Sequence, residues 1–234
     1  MKKNKRTPIA AMIVLALALV TAVVSGTQLV STRAALNPST ATYDGEIEVS
    51  TLDVQLYENG KASTGALLSD LKQMEPGKKY EEKVSAYNGA DASEYVRMIV
   101  RKYWTDADGK NIALDPEFIE LRYDSKEYND SDWAINPKES TEERSVYYLK
   151  KSLAGNKESA VLFNSIRVNE EIAKDYTTSE KDNIITLTYK YDGATVNIEV
   201  EVQSVQEAHG DKAVPSAWGV SNVKANEGSL EVSE

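Results

Sequence analysis

The chain has 234 residues, of which 41% are apolar and 27% are charged, an ordinary composition for a globular domain that buries a core. It carries 27 Lys and Arg against 37 Asp and Glu, a formal net charge of -10, so no nucleic-acid partner is expected, because phosphate binding requires clustered basic side chains. With no Cys and one His, the sequence excludes disulfides, thiolate metal sites, a cysteine nucleophile and every motif that needs two His.

The N-terminal segment has the three parts of a secretory signal peptide. Residues 1–6 are basic, residues 8–24 are uncharged and mostly Ala, Leu, Val and Ile, and small residues follow at Val24, Ser25 and Gly26. We predict a signal peptide over residues 1–26, cleaved near Gly26, and a protein secreted to the extracellular matrix or the cell surface. The alternative is that this segment stays uncleaved and anchors the protein, which would be its one expected contact with a membrane. An apolar stretch of about 17 residues is at the lower limit for a membrane span. A secreted chain without Cys is typical of Gram-positive bacteria.

The remaining sequence alternates apolar and polar residues with the period of β-strands. Glu46–Ser50 alternates, slips by one residue at Thr51-Leu52 and resumes at Val54, which indicates a β-bulge. Tyr95–Trp104 is apolar on both faces and is predicted to be a central strand. Further strands are predicted over Tyr80–Ala86, Phe118–Tyr123, Val146–Lys150 and Val161–Val168. About eight short strands separated by turn signals favour a two-sheet sandwich.

Two strands near the C-terminus are predicted to form a hairpin. Ile185–Tyr191 and Val196–Gln203 flank Asp192-Gly193, a pair typical of two-residue type I′ turns. Apolar residues alternate with polar ones along the second strand, which predicts one packed face made of Val196, Ile198, Val200 and Val202.

Helices and loops complete the predicted organisation. Ala66–Met74 has helical spacing and ends before Pro76-Gly77, and Glu170–Lys181 is expected to hold a turn or two. The polar stretch Tyr123–Arg144 is interpreted as an insertion loop. The predicted domains are an N-terminal extension over residues 27–43, a sandwich over residues 44–222 and an acidic flexible tail over residues 223–234.

No set of residues in the sequence supports catalysis, a cofactor or a strong metal site. His209 is isolated, so the two-His motif of zinc proteases cannot form, and we interpret His209 as a solvated loop residue. Asp106 and Asp108, followed by Gly109, match the start of a calcium loop but fit a hairpin turn better. The acidic cluster of residues 124–132 is either a weak cation site or a solvated loop. We expect no enzymatic activity.

Several short motifs together resemble the TasA/camelysin family of exported biofilm-matrix proteins, whose signal peptides are cut by the dedicated peptidase SipW. The matching segments include Leu56–Lys61, Glu75–Lys78, Asn88–Ala90 and Glu94–Arg97. The most specific match is a strand that ends in Val-Gln-x-Ala and is followed by Ala-Trp-Gly, with family-motif positions at Gln206, Ala208, Ala217, Trp218 and Gly219.

This resemblance implies an all-β, jelly-roll-like two-sheet sandwich with one or two short helices, preceded by an N-terminal signal helix. It also implies a structural role in fibres formed with other copies or with related matrix proteins, after cleavage by a SipW-like peptidase. In such fibres a freed N-terminal segment fills a groove of the next subunit, and here the candidate donor strand carries Leu29, Val30 and Leu36. The zinc peptidase activity described for camelysin is not carried over, because the chain has no zinc motif. A monomeric surface adhesin or glycan-binding module built on the same sandwich is the alternative.

Overall fold

Antiparallel strands dominate the computed structural model, which describes residues 52–63, 67, 74–111, 113–181 and 184–233. These residues belong to one compact unit, Glu46–Glu234. The strands are β1 (Val54–Glu58), β2 (Lys61–Ala62), β3 (Lys79–Asn88), β4 (Glu94–Asp106), β5 (Gly109–Lys110), β6 (Ile119–Arg122), β7 (Trp133–Ile135), β8 (Arg144–Leu149), β9 (Lys157–Glu158), β10 (Phe163–Val168), β11 (Tyr176–Lys181), β12 (Ile184–Tyr189), β13 (Thr195–Gln206), β14 (Val223–Asn226) and β15 (Ser229–Val232). The helices are two 3-10 turns, Pro116–Phe118 and Glu170–Lys174, and the α-helix α1 (Gly210–Trp218).

Two sheets face each other across an apolar core, which confirms the predicted all-β sandwich. The first sheet has the order β2-β1-β3-β10-β6, with β9 also paired to β3. The second has the order β13-β4-β8-β7, with β5 also paired to β4. The core takes buried side chains from both sheets, among them Val84, Ala86, Val96, Met98, Val100, Tyr147, Leu149, Phe163 and Ile166.

The longest strand, β4, is central, as its two apolar faces predict. It pairs along its length with β13 on one side and with β8 on the other. Met98 points into the core between the sheets, and its neighbour Ile99 packs on the opposite face. The other strands predicted within the described residues are also present, with boundaries shifted by a few residues.

A second apolar layer covers the outer face of the second sheet. α1 and the hairpin of β14 and β15 pack there against β4 and β8, burying Val214, Trp218, Val223 and Leu230. The prediction of a flexible acidic tail over residues 223–234 is therefore wrong. Paired residues of this hairpin place Val223, Ala225, Leu230 and Val232 on one face, and burying that apolar face holds the C-terminal segment in place.

The predicted hairpin around Asp192-Gly193 is wrong as well. β12 pairs with β11, and β13 pairs with β4. Between β12 and β13 the chain enters the sandwich, where the ring of Tyr191 packs edge-on against Trp104 at a centroid distance of 5.1 Å and against Phe118 at 5.7 Å. Burial of this aromatic ring separates the two strands that the turn signal would have joined.

The predicted insertion loop over Tyr123–Arg144 is partly ordered as a strand. Trp133 begins β7, is fully buried, and donates from Nε1 to the carbonyl oxygen of Ala160 at 3.0 Å. The turn expected near Glu170 is confirmed as a 3-10 turn with Asn169 as its N-cap, while the rest of that segment forms β11. The predicted strand over residues 46–50, the bulge at Thr51 and most of the predicted helix over 66–74 lie outside the described residues.

Candidate functional site

The sandwich is open along one side, where β13 is the edge strand of the second sheet. β4 pairs with β13 over twelve residues, from Thr195 to Gln206, and the described residues place no strand on the other side of β13. β1, in the first sheet, lies beside β13, with Cα atoms of the two strands within 8 Å of each other and no ladder between them. We call this side the open rim and define it by β13, β1 and the first half of β3.

Apolar side chains of β13 face into the open rim. Val196, Ile198, Val200 and Val202 occupy the face predicted from the sequence, and all four are half-buried. Their partners across the ladder include Val100 and Met98, which are fully buried core residues. The core side chains of β4 are therefore fully buried, whereas those of β13, one strand further out in the sheet, are only half-buried.

The first sheet leaves a shorter free edge on the same side. β1 pairs with β3 only from Val84 to Asn88, and β2 adds two residues beyond β1. Residues 79–81 of β3 pair with β10 on one side, and among the described residues no strand pairs with them on the other. The polar contact at this point comes from Asn59, whose N–H donates to the Lys83 carbonyl oxygen at 2.8 Å and whose Oδ1 accepts from the Lys83 N–H at 3.0 Å.

A cleft of about 590 Å³ lies at one end of the open rim. Val196 and Ile198 of β13 form one wall, and Trp104 lies at the base. The other apolar lining residues are Leu67, Met74, Pro76, Val168, Ile172, Tyr191 and Ala194. A groove with this lining fits apolar side chains of an extended peptide, and Asp192 is the one charged residue among the described residues that line it.

Two carboxylates meet where the free edge of β3 begins. Glu82 is 3% exposed, and its Oε1 accepts a hydrogen bond from Asn59 Nδ2 at 3.0 Å. Burial and the neighbouring Glu58 carboxylate raise the pKa of Glu82 to about 7, while the Asn59 hydrogen bond acts in the opposite direction. The charge of the rim therefore changes near neutral pH.

Lys102 joins the two sheets near the cleft. Its Nζ donates to the carbonyl oxygen of Ile119 in β6 at 2.9 Å, and its partner across the ladder is Ile198 of β13. Burial lowers the pKa of Lys102, against the attraction of carboxylates that include Glu127 and Glu117. The contact fixes the spacing of the sheets at this end.

The cleft and the start of the described chain lie at opposite ends of the sandwich. The N–H of Asp53, just before β1, donates to Oε1 of Glu94 at 3.3 Å, and Glu94 is the first residue of β4. Trp104, at the base of the cleft, lies near the other end of β4. Glu94 and Trp104 are ten residues apart along β4, a span of about 33 Å, so Asp53 lies far from the cleft.

The family-motif positions lie at the other face of the second sheet and have structural roles. Gln206 ends β13, Ala208 is exposed in the turn before α1, and Ala217 is exposed on α1. The indole of Trp218 packs against the Tyr148 ring at 5.4 Å and beneath the Arg97 guanidinium at 5.0 Å. Gly219 ends the helix with a φ of 67°, and its N–H donates to the Pro215 carbonyl oxygen.

A polar network lies under this helix. Arg97 donates to Gln203 Oε1 at 2.8 Å and to Glu139 Oε1 at 3.2 Å, and the Tyr148 hydroxyl donates to Glu139 Oε2 at 2.6 Å. Burial, followed by the hydrogen bond to Glu139, raises the pKa of Tyr148 to about 12. Arg97 and Glu139 are nearly buried and paired, so the network holds the helix and the sheet together.

The candidate cation ligands are engaged in turns. Asp106 Oδ1 accepts from the Asp108 N–H at 2.9 Å and Oδ2 accepts from Asn111 Nδ2 at 2.6 Å, which confirms the predicted hairpin turn at Gly109. In the 124–132 segment, Asp130 pairs with Lys126 at 2.6 Å, and this hydrogen bond lowers the pKa of Asp130. Within the described ranges no three His, Asp or Glu side chains are grouped to hold a metal ion.

His209 is exposed and precedes α1 in a left-handed conformation with a φ of 58°. This agrees with the prediction of a solvated loop residue.

The expected signal-peptide cleavage region, Val24, Ser25 and Gly26, and the candidate donor residues lie outside the described residues. No helix in the described part of the chain has the length and apolarity that a membrane span requires.

A comparison of the chain with protein-family models, with curated proteins and with solved structures finds no match.

Proposed function

We propose that the protein is a secreted, non-enzymatic structural protein of the extracellular matrix or cell surface, whose subunits join head to tail by strand addition at the open rim. The observation that carries the proposal is β13, a twelve-residue edge strand with a half-buried apolar face. An edge of this kind carries a row of backbone N–H and C=O groups that a strand from another chain satisfies.

The proposed donor is the segment over residues 27–43, with Leu29, Val30 and Leu36 as apolar anchors. Cleavage by a SipW-like signal peptidase frees this segment, so that export and assembly are coupled. Asp53 lies at the end of the sandwich opposite the cleft, and a donor segment that extends away from its own sandwich reaches the cleft of the next copy, so the contact does not close on itself. The resemblance of the sequence motifs to matrix proteins of the TasA/camelysin family supports the same role.

Deletion of residues 27–43 tests this proposal. The full chain is expressed in a Gram-positive secretion host, and the exported protein is examined by electron microscopy and light scattering. We expect filaments from the parent chain and no filaments from the deletion, because the deletion removes the donor and leaves the sandwich intact. A variant in which residues 27–43 are scrambled at constant composition is the control for length and charge, and it should not form filaments.

A second variant tests the receiving side. Ile198→Lys places a charge in the rim, whereas Glu199→Lys alters the adjacent, exposed residue on the other face of β13. We expect Ile198→Lys to block filaments and Glu199→Lys to leave them, with both proteins folded by circular dichroism. A parent chain that stays monomeric at all concentrations would instead favour the adhesin or glycan-binding alternative.

A further inference from the structure

The hairpin of β11 and β12 has one apolar face and one polar face. Its register pairs Tyr176 with Tyr189, Thr178 with Leu187 and Glu180 with Ile185. Directly paired residues of an antiparallel hairpin lie on the same face, so both tyrosines, Leu187 and Ile185 share one face. The opposite face carries Thr177, Ser179, Ile184, Thr186 and Thr188. We call this hairpin the ribbon.

The apolar face of the ribbon is exposed. Ile185 is 65% exposed, Leu187 47%, Tyr176 48% and Tyr189 44%. The two tyrosine rings contact each other at a centroid distance of 5.6 Å, and every residue of β12 is exposed. An isolated two-stranded hairpin is only marginally stable in water, and its apolar face gains stability once it is covered.

We propose that the apolar face of the ribbon is a self-association surface that packs against the ribbon of a second copy. Two such ribbons, face to face and related by a two-fold axis, form a small sandwich in which each apolar face covers the other. This contact is additional to strand addition at the open rim and does not depend on it.

The charge distribution favours a second copy as the occupant. Residues 176–190 contain two basic and two acidic residues and are formally neutral, with Glu180 the one charged residue among the pairs of the apolar face, whereas the whole chain has a net charge of -10. Two acidic proteins repel each other over most of their surfaces, and the ribbon is a place where they approach without that cost. A strongly basic partner would instead be attracted to the acidic body of the protein.

The area is also consistent with self-association. The exposed fractions of the four apolar side chains, with Thr178 and Glu180 beside them, correspond to roughly 500–600 Å² per copy. The total of about 1,100 Å² is at the lower limit for specific protein–protein contacts. The expected product is a reversible dimer with a Kd on the order of micromolar, which becomes stronger when filaments present many ribbons side by side.

Two matched variants test this surface by sedimentation velocity on the exported chain lacking residues 27–43, from about 1 to about 200 µM. Ile185→Lys alters the apolar face, and Ile184→Lys changes the same residue type, at similar exposure, on the opposite face. We expect the unaltered ribbon and Ile184→Lys to dimerise with similar Kd, and Ile185→Lys to raise the Kd by at least about 30-fold, because a charged side chain would be buried in the contact.

Cysteine cross-linking gives a second readout that does not require the charge substitution to be tolerated. The natural chain has no Cys, so a single introduced thiol reports one position. Thr178→Cys lies at the centre of the apolar face and Ser179→Cys at the centre of the opposite face. We expect mild oxidation to give covalent dimers for Thr178→Cys and few for Ser179→Cys.

The outcomes separate this proposal from strand addition. Dimers that persist without residues 27–43 and vanish with Ile185→Lys support the ribbon contact, whether or not the parent chain forms filaments. Monomers over the whole concentration range overturn it. Equal loss of dimers with Ile184→Lys and Ile185→Lys, or equal cross-linking at both thiols, also overturns it.

Discussion

At the scale of single residues, the open rim contains a carboxyl group, Glu82, whose pKa burial raises to about 7. Glu58 and Glu82 are 24 positions apart, and the β1–β3 register brings them together by pairing Glu58 with Val84. Sequence patterns predicted both strands, but an alternation of apolar and polar residues contains no information about which acids become neighbours across a ladder. The pair could therefore be found only in the structure.

Glu82→Gln should change the pH dependence of stability. The folded-state pKa of Glu82, about 7, lies above its ordinary value of 4.5, so the folded protein binds this proton more tightly than the unfolded chain. Its contribution to stability is therefore fully present below pH 4.5 and is lost as the pH rises to about 7. At pH 8 the variant should be more stable than the parent by about 1–3 kcal/mol, and at pH 5 the difference should shrink.

Urea unfolding at pH 5 and pH 8 measures this difference. Glu81→Gln is the matched control, because Glu81 is the adjacent residue of β3 and is exposed beside Lys79. The control should change stability little at either pH. A difference for Glu82→Gln that is the same at both pH values would show that the side chain does not titrate near neutrality.

At the scale of elements, the C-terminal hairpin shows where sequence patterns were sufficient and where they were not. The residues of β14 and β15 alternate in the same way as those of β13, and Gly228 supplies the left-handed turn with a φ of 72°. The abundance of acids near the C-terminus favoured a tail in the sequence interpretation. At Asp192-Gly193 the sequence predicted a hairpin that the structure does not contain. A local turn signal does not specify whether the strands on either side of it pair with other strands.

Leu230→Ala tests whether the C-terminal hairpin is part of the folded core. Leu230 is 3% exposed and packs in the cluster under α1, so truncation should destabilise the protein by about 2–4 kcal/mol. Glu231→Ala, on the exposed face of the same strand, should change stability by less than about 0.5 kcal/mol. Chemical denaturation followed by tryptophan fluorescence measures both. Equal stability of Leu230→Ala and the parent protein would mean that the segment behaves as a free tail.

At the scale of the whole molecule, the protein has one side where its core is incompletely covered and one projecting ribbon with an exposed apolar face. The all-β class and the central position of β4 were predictable, because strand alternation and two apolar faces are local properties of the sequence. The edge position of β13 was not predictable, since it depends on which strands lie beside it. The exposure of Ile185 and Leu187 was also not predictable from the sequence, because the same alternation of apolar and polar residues is found in strands whose apolar face is buried.

The most direct test of strand addition at the open rim is amide hydrogen exchange of β13, measured by mass spectrometry. Peptides covering residues 195–206 and 79–83 are compared between filaments of the exported chain and soluble subunits that lack residues 27–43. The account predicts that exchange in these peptides slows markedly in filaments, because a donor strand takes up the free backbone groups, while exchange in β4 stays the same. Filaments in which β13 exchanges as fast as in the soluble subunit would contradict the account.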